Sequence, residues 1–405
     1  MKATGVIAEY NPLHNGHIYH IRKSKELTNA DVMIAVMSGH FLQRGEPAIM
    51  DKWTRASIAL HSGIDVVFEL PAVYSTQSAQ LFAYGSVSLL EQLDCVQSLC
   101  FGSELGNIHV LKSLSEVLLH EPPELALALQ KQLQNGLPYP KAMEKALFET
   151  NLMPFGNDTL QANNTLGLMY LVALGQLKSS IKPYTLQRKA TSFHQTSITD
   201  ATLASATAIR KLITENNNDF LTIKPYVPEA TFSYLANSYS AIINLDDFRD
   251  ILFSKLYEMS ATTLLSFIDL DAGLAKRIKK HIFESTSIID LISKIKCKNY
   301  TWVRIQRALI HVLLDMKKHE LLPLQASPYA RVLGFTKKGQ QFLKLAKKRS
   351  SIPIINQWGQ ETFLYSRYDQ LATRIYSLVE VKKCLHVKSL NNLATRDFRV
   401  PPIQV

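Results

Sequence analysis

The sequence has little of what a disulfide-bonded or zinc-binding protein needs. Cysteine occurs only four times in 405 residues, and no two cysteines have the C-x-x-C spacing of zinc sites and redox-active dithiols. Cys95 and Cys100 lie in an apolar, strand-like segment, which predicts buried thiols. We therefore expect no disulfide and no metal-binding side chains.

Long apolar runs are missing as well. No stretch approaches the ~18 consecutive apolar residues that a transmembrane helix requires, and the start of the chain lacks the pattern of a secretory signal. Hydrophobic residues make up 46% of the chain and charged residues 20%, as in ordinary globular proteins. These features predict a cytoplasmic protein of two or three domains, with no membrane partner and no evident protein partner.

Acidic residues are scarce in the last third of the chain. Residues 276–405 carry 25 Lys and Arg against 8 Asp and Glu, a net charge of +17, whereas residues 1–275 carry a net charge of −6. This concentration of positive charge favours a polyanionic partner, and we predict RNA; a solvated basic helix surface is the alternative. The predicted RNA-binding residues lie in two lysine-rich runs: Lys276, Arg277, Lys279, Lys280, Lys344, Lys347, Lys348 and Arg349.

The first half of the chain contains alternating strand and helix patterns. Apolar runs at 4–9, 31–37, 65–70, 95–101 and 183–188 predict strands, and apolar residues at helical spacing lie between them. Because this alternation is typical of βαβ units, we predict an α/β fold with a Rossmann-like parallel sheet. We place a catalytic domain at 1–215 and a mainly helical, basic, RNA-binding region at 216–405.

Three histidines closely follow the first predicted strand. His14, His17 and His20 lie where that strand turns into a helix, with Gly16 between the first two. A helix N-terminus attracts anions, and two imidazoles three residues apart can both donate hydrogen bonds to a phosphate. The alternative is that these histidines only cap the helix or form partly buried polar groups, which does not explain why there are three.

A second polar turn precedes a helix near residue 206. Ser205 and Thr207 carry hydroxyls, and Arg210 follows within one helical turn, where its guanidinium can bind a phosphate oxygen. A capped helix with an incidental arginine is the alternative. Loops that follow parallel strands converge on the carboxyl edge of the sheet, and we expect this turn to close the site there.

The two turns resemble the two signatures of the nucleotidylyltransferase superfamily, H-x-G-H and a Ser/Thr-rich turn leading to arginine. A more specific resemblance, to the bacterial tRNA(Met) cytidine acetate ligases, extends over the segments 5–17, 37–47, 101–104, 163–167 and 204–210. It implies an enzyme that forms acetyl-adenylate from acetate and ATP, with Mg²⁺, and releases pyrophosphate. The acetyl group would then pass to the exocyclic amine of the wobble cytidine of elongator tRNA(Met), giving N4-acetylcytidine.

The resemblance also implies roles for residues. His14, His17 and Arg210 would be catalytic. The implied ATP-binding residues surround both turns: Ile7, Ala8, Glu9, Tyr10, Asn11, Pro12, Leu13, His14, Asn15, Gly16, His17, Ile18, Tyr19, His20, Gly102, Asn163, Arg188, Ser205 and Thr207. Two structural alternatives stay open, a helix N-cap for Asn163 and a surface ion pair for Arg188. Arg44 is a further candidate for contact with acetate or RNA.

Two rival functions stay open. A nucleotidylyltransferase that makes a small dinucleotide-type cofactor would share both phosphate motifs but would not account for the basic region. A non-catalytic RNA-binding protein would account for the basic region but not for the histidines. The product formed from ATP distinguishes the first rival, and a histidine variant with unchanged behaviour would favour the second.

Overall fold

The computed structural model describes residues 1–137, 139–152, 160–188, 203–359, 362–385 and 389–405. Its strands form one mainly parallel sheet in the order β5-β4-β1-β2-β3-β6-β7, with β8 paired to β6. The strands are β1 (Ala3–Ala8), β2 (Val32–Ser38), β3 (Val66–Leu70), β4 (Ser98–Ser103), β5 (Lys182–Gln187), β6 (Ala330–Phe335), β7 (Ile354–Ile355) and β8 (Ile403–Gln404).

Helices alternate with the parallel strands through the first half of the chain. They are α1 (Asn15–Thr28), α2 (Lys52–His61), α3 (Ala72–Ser75), α4 (Ala79–Gln92), α5 (Ile108–His120), α6 (Pro123–Gln134), α7 (Tyr139–Glu149), α8 (Ala162–Gln176) and α9 (Ala206–Glu215). The strands β1 to β5 pair only in parallel among themselves. The predicted α/β fold with a Rossmann-like parallel sheet is therefore confirmed.

Local sequence explains most of these elements. All seven residues of β2, a strand flanked by β1 and β3, are buried, which accounts for its uninterrupted apolar sequence. The carboxylate of Asp51 caps α2 by accepting a hydrogen bond from the backbone N–H of Trp53 at 2.9 Å. Cys95 and Cys100 are buried, as predicted. Cys95 nevertheless precedes β4, so apolar composition predicted burial here but not the start of the strand.

The sheet does not end with the first half of the chain. β6 pairs antiparallel with β3, and β7 and β8 pair parallel with β6. The boundary predicted at residue 215 therefore does not mark the end of the sheet. β7 and β8 have only two residues each, too few for a strand pattern, and the apolar run of β6 is interrupted by Arg331, whose charge is neutralised by the distant Glu69 and Asp397.

The second half is mainly helical, as predicted. Its helices are α10 (Glu229–Ser238), α11 (Arg249–Glu258), α12 (Ala261–Leu264), α13 (Ala272–His281), α14 (Ile288–Ile295), α15 (Trp302–Leu313), α16 (Lys318–Leu321), α17 (Lys337–Arg349), α18 (Ser366–Lys383), α19 (Leu390–Ala394) and α20 (Arg396–Arg399), with 3-10 turns at Phe220–Tyr226, Leu245–Phe248 and Ile282–Glu284. Buried apolar residues of both halves share one continuous core. Within the described part of the chain, no helix is long and apolar enough to cross a membrane.

Candidate active site

A cavity of about 380 Å³ lies at the carboxyl ends of β1, β4 and β5. The strand order reverses here, with β2 on one side of β1 and β4 on the other, and open parallel sheets bind ligands at such points. Residues of both predicted turns line it: Ile7, Ala8, Glu9, Tyr10, Asn11, His14, Gly16, His17, Tyr19, His20, Gly102, Asn163, Arg188, Ser205, Thr207 and Arg210. The two motifs therefore meet, as the sequence predicted.

Four residues of the predicted run 7–20 do not line the cavity. Leu13 belongs to the hydrophobic core and Ile18 packs against that core, while the side-chain amide of Asn15 donates a hydrogen bond to the carbonyl of Pro225 at 2.9 Å. Pro12 forms the second half of a cis peptide bond. One face of the turn and helix thus lines the cavity, and the other face holds the turn in place.

Sequence reasoning missed much of the cavity wall. The missed residues are Val6, Leu42, Gln43, Glu46, Phe82, Phe101, Leu166, Tyr170, Leu186, Gln187, Leu203, Ala204 and Ala206; Arg44, the additional candidate, also lines the cavity. Most of these are apolar, and no local signal separates an apolar wall residue from a core residue. Gln43 and Glu46 are polar and lie in the segment 37–47, and Leu42, Phe101, Leu166, Ala204 and Ala206 also lie in segments that carry the family resemblance, so these residues had a signal that could have singled them out.

The two signature histidines cap α1 with one ring nitrogen each. Nδ1 of His14 accepts a hydrogen bond from the backbone N–H of Gly16 at 3.1 Å, and Nδ1 of His17 accepts one from the backbone N–H of His14 at 3.2 Å. Their ring centroids are 3.9 Å apart. Because a neutral imidazole carries one N–H, both rings must hold their proton on Nε2. Capping and ligand binding are therefore compatible roles for these side chains.

The three histidines stay neutral at physiological pH. Burial, helped by the charges of Arg188 and Arg210, lowers the pKa of His14 to about 3. Burial is also the main reason that the pKa of His17 falls well below its ordinary value and that of His20 falls to about 4. The imidazoles therefore offer N–H donors without charge, and the guanidiniums of Arg44, Arg188 and Arg210 provide the positive charge.

Arg210 reaches the first turn from α9. Its Nη1 donates to the carbonyl of Asn11 at 2.8 Å, and its Nη2 lies 3.2 Å from Oε2 of Glu46. Ser205 caps α9 by accepting a hydrogen bond from the backbone N–H of Ala208 at 3.1 Å. The cap fixes the residue at which α9 begins. It thereby fixes the direction in which the Arg210 side chain projects from the helix.

Arg188 directly follows β5, and its side chain packs across Gly102 of the neighbouring strand β4. A Cβ atom at position 102 would lie 3.3 Å from Cγ of Arg188, so glycine permits this close packing. Nη1 of Arg188 donates to Oδ1 of Asn163 at 3.2 Å, and burial lowers the pKa of the guanidinium. The surface ion-pair alternative is wrong, because this side chain is half-buried and lines the cavity.

Glu104 caps α8, and the alternative of Asn163 as the N-cap is wrong. The carboxylate of Glu104 accepts hydrogen bonds from the backbone N–H groups of Asn163 at 3.1 Å and Asn164 at 2.7 Å. The side-chain amide of Asn163 donates to the same carboxylate at 2.6 Å, which orients its oxygen toward Arg188. Glu104 was in the resemblance segment 101–104, so sequence carried a signal for it.

The loop after β2 is tied to the end of β1 by Arg55. This fully buried guanidinium donates to the carbonyls of Glu9 at 2.7 Å and Ser38 at 3.0 Å, and also to that of Gly39. The Glu9 carboxylate accepts a hydrogen bond from the backbone N–H of Gln43 at 2.8 Å, and burial raises the pKa of Glu9. Two neighbouring strand ends thus form one rigid part of the cavity wall.

Buried charges connect this region with the second half of the chain. Nζ of Lys52 lies 2.7 Å from the Glu69 carboxylate and 2.9 Å from that of Asp397, and Arg331 pairs with Asp397 at 2.5 Å. All four side chains are almost completely buried. Removing one partner from such a network typically costs about 3–5 kcal/mol. The network therefore fixes β6 and α20 to the α/β sheet.

The two predicted basic runs lie on α13 and α17. On α13, Lys276 and Lys280 are exposed, whereas Arg277 donates to the carbonyl of Ile295 at 2.8 Å and Lys279 donates to that of Leu256 at 2.8 Å. On α17 the four predicted residues are exposed: Lys344, Lys347, Lys348 and Arg349. Arg277 and Lys279 thus have structural roles, while the α17 side chains are free of such backbone contacts among the described hydrogen bonds.

Comparison with known proteins adds a family-level likeness. Residues 1–389 match the family model described as HIGH Nucleotidyl Transferase. A tRNA(Met) cytidine acetate ligase from Clostridium novyi is 42% identical over 415 residues, which cover 100% of this chain and 99% of that protein. A protein of the same name from Caldanaerobacter subterraneus is 41% identical over 388 residues, covering 93% of this chain and 95% of that protein.

Two solved structures have the same overall fold. The chain is similar to apo Thermotoga maritima TmcAL with a TM-score of 0.90 at 31% identity, and to TmcAL bound with alpha-thio ATP with a TM-score of 0.87 at 30% identity. Both matches cover 100% of each chain. The likeness therefore includes the basic half as well as the half that carries the motifs.

Proposed function

The chain belongs to the family of tRNA(Met) cytidine acetate ligases, among the HIGH nucleotidyl transferases, and we propose that the cavity between β1, β4 and α9 performs the reaction of that family. The enzyme is an ATP-dependent ligase. It activates acetate with ATP and transfers the acetyl group to the N4 amine of the wobble cytidine of elongator tRNA(Met).

One observation carries the assignment of the site. Two neutral histidines, His14 and His17, line the same cavity as two guanidiniums, Arg188 and Arg210. A phosphoryl group that is being displaced gains charge on its oxygens, so fixed N–H donors and cations stabilise it most where water is excluded. We assign His14, His17 and Arg210 as catalytic on this ground, with Arg188 and Asn163 among the ATP-binding residues.

The first half-reaction needs no covalent intermediate on the protein. An acetate oxygen attacks the α-phosphorus, a new P–O bond forms, and the bond to the bridging oxygen of pyrophosphate breaks. The Nε2–H groups of His14 and His17 donate to phosphate oxygens, and the Arg210 guanidinium holds the departing pyrophosphate. Acetyl-adenylate and pyrophosphate are the products.

The second half-reaction uses the activated acetyl group. The cytidine amine attacks the acetyl carbonyl carbon, the bond to AMP breaks, and the amine releases one proton to solvent. Because this amine is a weak nucleophile, the base must be unstacked and held beside the adenylate. N4-acetylcytidine and AMP then leave.

Mg²⁺ is the proposed companion of the ATP phosphates. The carboxylates in the cavity wall are Glu9, whose pKa is raised by burial, and Glu46, which faces Arg210. Among the described residues no group of three His, Cys, Asp or Glu side chains is placed to hold a metal. These residues fit an ion that takes its ligands mainly from phosphates and water, as Mg²⁺ does in nucleotide sites.

The basic part of the chain is the proposed tRNA surface. We propose that 1–215 supplies the adenylation site and that 216–405 supplies most RNA contacts, with the exposed cations of α13 and α17 on phosphates. A cytoplasmic location follows from this proposal, because ATP and tRNA are both available there.

Labelled pyrophosphate exchange into ATP tests this function. We expect exchange that depends on acetate, measured with and without tRNA, followed by N4-acetylcytidine in nucleosides analysed by mass spectrometry. A dinucleotide product in place of acetyl-adenylate would support the cofactor-forming rival. Absence of exchange with any short acid, with or without tRNA, would contradict the proposal.

A further inference from the structure

An aromatic pair projects from the helical half, far along the chain from the catalytic motifs. Phe283 follows α13 in the 3-10 turn Ile282–Glu284, and Tyr257 lies near the end of α11. Their rings are stacked, with centroids 5.2 Å apart and an interplanar angle of 12°. Phe283 is 70% exposed and Tyr257 is 44% exposed. Contiguous exposed apolar side chains are a feature of interaction surfaces.

The exposure of Phe283 makes it the outer ring of the pair. Tyr257 stacks on one face of the Phe283 ring, Nζ of Lys279 lies 5.6 Å from the ring centroid, and 70% of the residue stays accessible to solvent. Tyr257 is itself supported by Phe253, which is buried, with their centroids 6.0 Å apart. The outer ring is therefore supported by aromatic contacts that begin in the core, edge-to-face between Phe253 and Tyr257 and stacked between Tyr257 and Phe283.

The charges around the pair indicate what it binds. Nζ of Lys279 lies 5.6 Å from the Phe283 ring centroid and is fixed by hydrogen bonds to the carbonyls of Leu256 at 2.8 Å and Tyr257 at 3.3 Å. Lys276 and Lys280 are exposed on the same helix. Glu284 is the acidic neighbour in the turn, and it lies 3.7 Å from His281. A protein surface of apolar character would not need these lysines, whereas a nucleotide offers a flat base for the ring and a phosphate for the cations.

We propose that Phe283 and Tyr257 form a stacking platform for an unpaired base of single-stranded or loop RNA, with Lys276 and Lys280 on the adjoining phosphates. The inference rests on the proposed function, since it names the part of the surface that reads an unstacked nucleotide of the tRNA. It also explains why Lys279 is fixed by backbone carbonyls: this cation organises the platform rather than contacting phosphate.

Fluorescence of a Phe283→Trp variant tests base stacking directly. Indole keeps the flat ring, and stacking of a base quenches its emission. We expect an unmodified tRNA(Met) transcript to quench the added emission relative to the wild-type protein, which keeps its own three tryptophans. Inorganic polyphosphate, which has charge but no bases, is expected to leave it unchanged. Equal quenching by polyphosphate would overturn the proposal, as would a response to protein concentration alone.

Affinity gives the second test. Phe283→Ala should weaken tRNA binding about 5- to 100-fold, the range for loss of one stacked base, while Phe283→Trp should restore it. Phe148→Ala is the matched control, since Phe148 is 64% exposed on α7 and has no such stack among the described contacts. Unchanged affinity of Phe283→Ala, with acetylation intact, would overturn the platform and leave the proposed function standing. Quenching by RNA in a protein that forms no acetylcytidine would support the platform and contradict the proposed function.

Discussion

Cations in the cavity and cations on the basic surface are held in different ways. Arg188 and Arg210 are oriented by Asn163, Asn11 and Glu46, with hydrogen bonds or ion pairs of 3.2 Å or less. The predicted lysines of α17 are exposed and carry their charge into solvent. A cation that must bind one particular phosphate oxygen has to be held in a fixed orientation. A cation that attracts a polyanion only through its long-range charge needs only to be exposed.

This difference predicts two separable sets of variants. Changes in the cavity should reduce turnover and leave RNA affinity intact, because these are the side chains that we propose contact the nucleotide. Changes on the surface should reduce RNA affinity and leave adenylation intact.

Loss of a signature histidine should have the largest effect. His14→Ala or His17→Ala removes an oriented Nε2–H donor, and we expect acetate-dependent pyrophosphate exchange to fall by about 10²- to 10³-fold. Fluorescence anisotropy should give tRNA affinity within about twofold of wild type. His109→Ala, at an exposed position of α5, is the control. Exchange by His17→Ala at the wild-type rate would contradict the catalytic role of His17, and absence of exchange in the wild-type protein as well would favour the non-catalytic rival.

Loss of the Arg210 guanidinium should have the next largest effect. We expect Arg210→Ala to reduce exchange by on the order of 10²-fold, because a fixed cation is lost from the departing pyrophosphate. Arg210→Lys should recover only part of this, since an ammonium cannot reproduce two parallel donors. Arg22→Ala, at a side chain that is 66% exposed, is the control. Full activity of Arg210→Lys would show that charge alone suffices.

Neutralising α17 should affect RNA and not ATP. The triple change Lys344→Gln, Lys347→Gln and Lys348→Gln should weaken tRNA binding on the order of tenfold. The slope of log affinity against log salt concentration should also become shallower, by an amount that corresponds to the loss of up to about three phosphate contacts. Pyrophosphate exchange should stay unchanged. The matched control replaces three exposed lysines of the first half, Lys112, Lys131 and Lys145, with glutamine. An equal loss of affinity in that control would remove the assignment of RNA contact to α17.

Removing the α9 cap should have a smaller effect. Ser205→Ala leaves the backbone N–H of Ala208 without its partner, which should lower the free energy of unfolding by about 1 kcal/mol. Ser205→Asn should retain the cap. Urea denaturation measures this, and exchange activity should change by only a few-fold. A wild-type unfolding free energy for Ser205→Ala would mean that the cap contributes nothing.

The pH dependence should show almost no effect of the site histidines. The pKa values of His14 and His20 lie at about 3 and 4, so both rings stay neutral as the pH falls from about 8 to about 5.5. An ordinary histidine would be mostly protonated at the lower value. We expect exchange at saturating acetate and ATP to vary less than about threefold over this range. A tenfold fall with an apparent pKa near 6.5 would contradict the neutral-donor account.

The motifs in the cavity were predictable because each combines residue type with position. The histidines after the first strand form one short motif, and the Ser/Thr turn before Arg210 forms another, so each is recognisable from a few consecutive residues. The sheet then brings the two motifs together in one cavity. Much of the apolar wall was not predictable, because residues such as Phe82 and Leu186 have the same sequence character as core residues. Glu104 was in a recognised segment, but its role as the cap of α8 depends on a contact across about 60 residues of chain.

The basic surface was predictable only as a total charge. Lys279 and Lys280 are adjacent in sequence, yet Lys279 is hydrogen-bonded to a backbone carbonyl and Lys280 is exposed. The sequence also did not predict that β6 joins the sheet, because Arg331 interrupts its apolar run and the carboxylates that pair with this residue, Glu69 and Asp397, lie far from it along the chain. Contacts between distant segments are decided by packing, which local patterns do not record.

Transfer of label from acetate to tRNA is the most direct test of the central claim. Wild-type protein, ATP and radiolabelled acetate would be incubated with two tRNA(Met) transcripts, one with the wobble cytidine and one with uridine at the same position. We expect label on the cytidine transcript alone, and about 10²- to 10³-fold slower labelling with His17→Ala. Label on both transcripts, or on neither while acetyl-adenylate accumulates, would contradict the claim that this cavity acetylates the wobble cytidine.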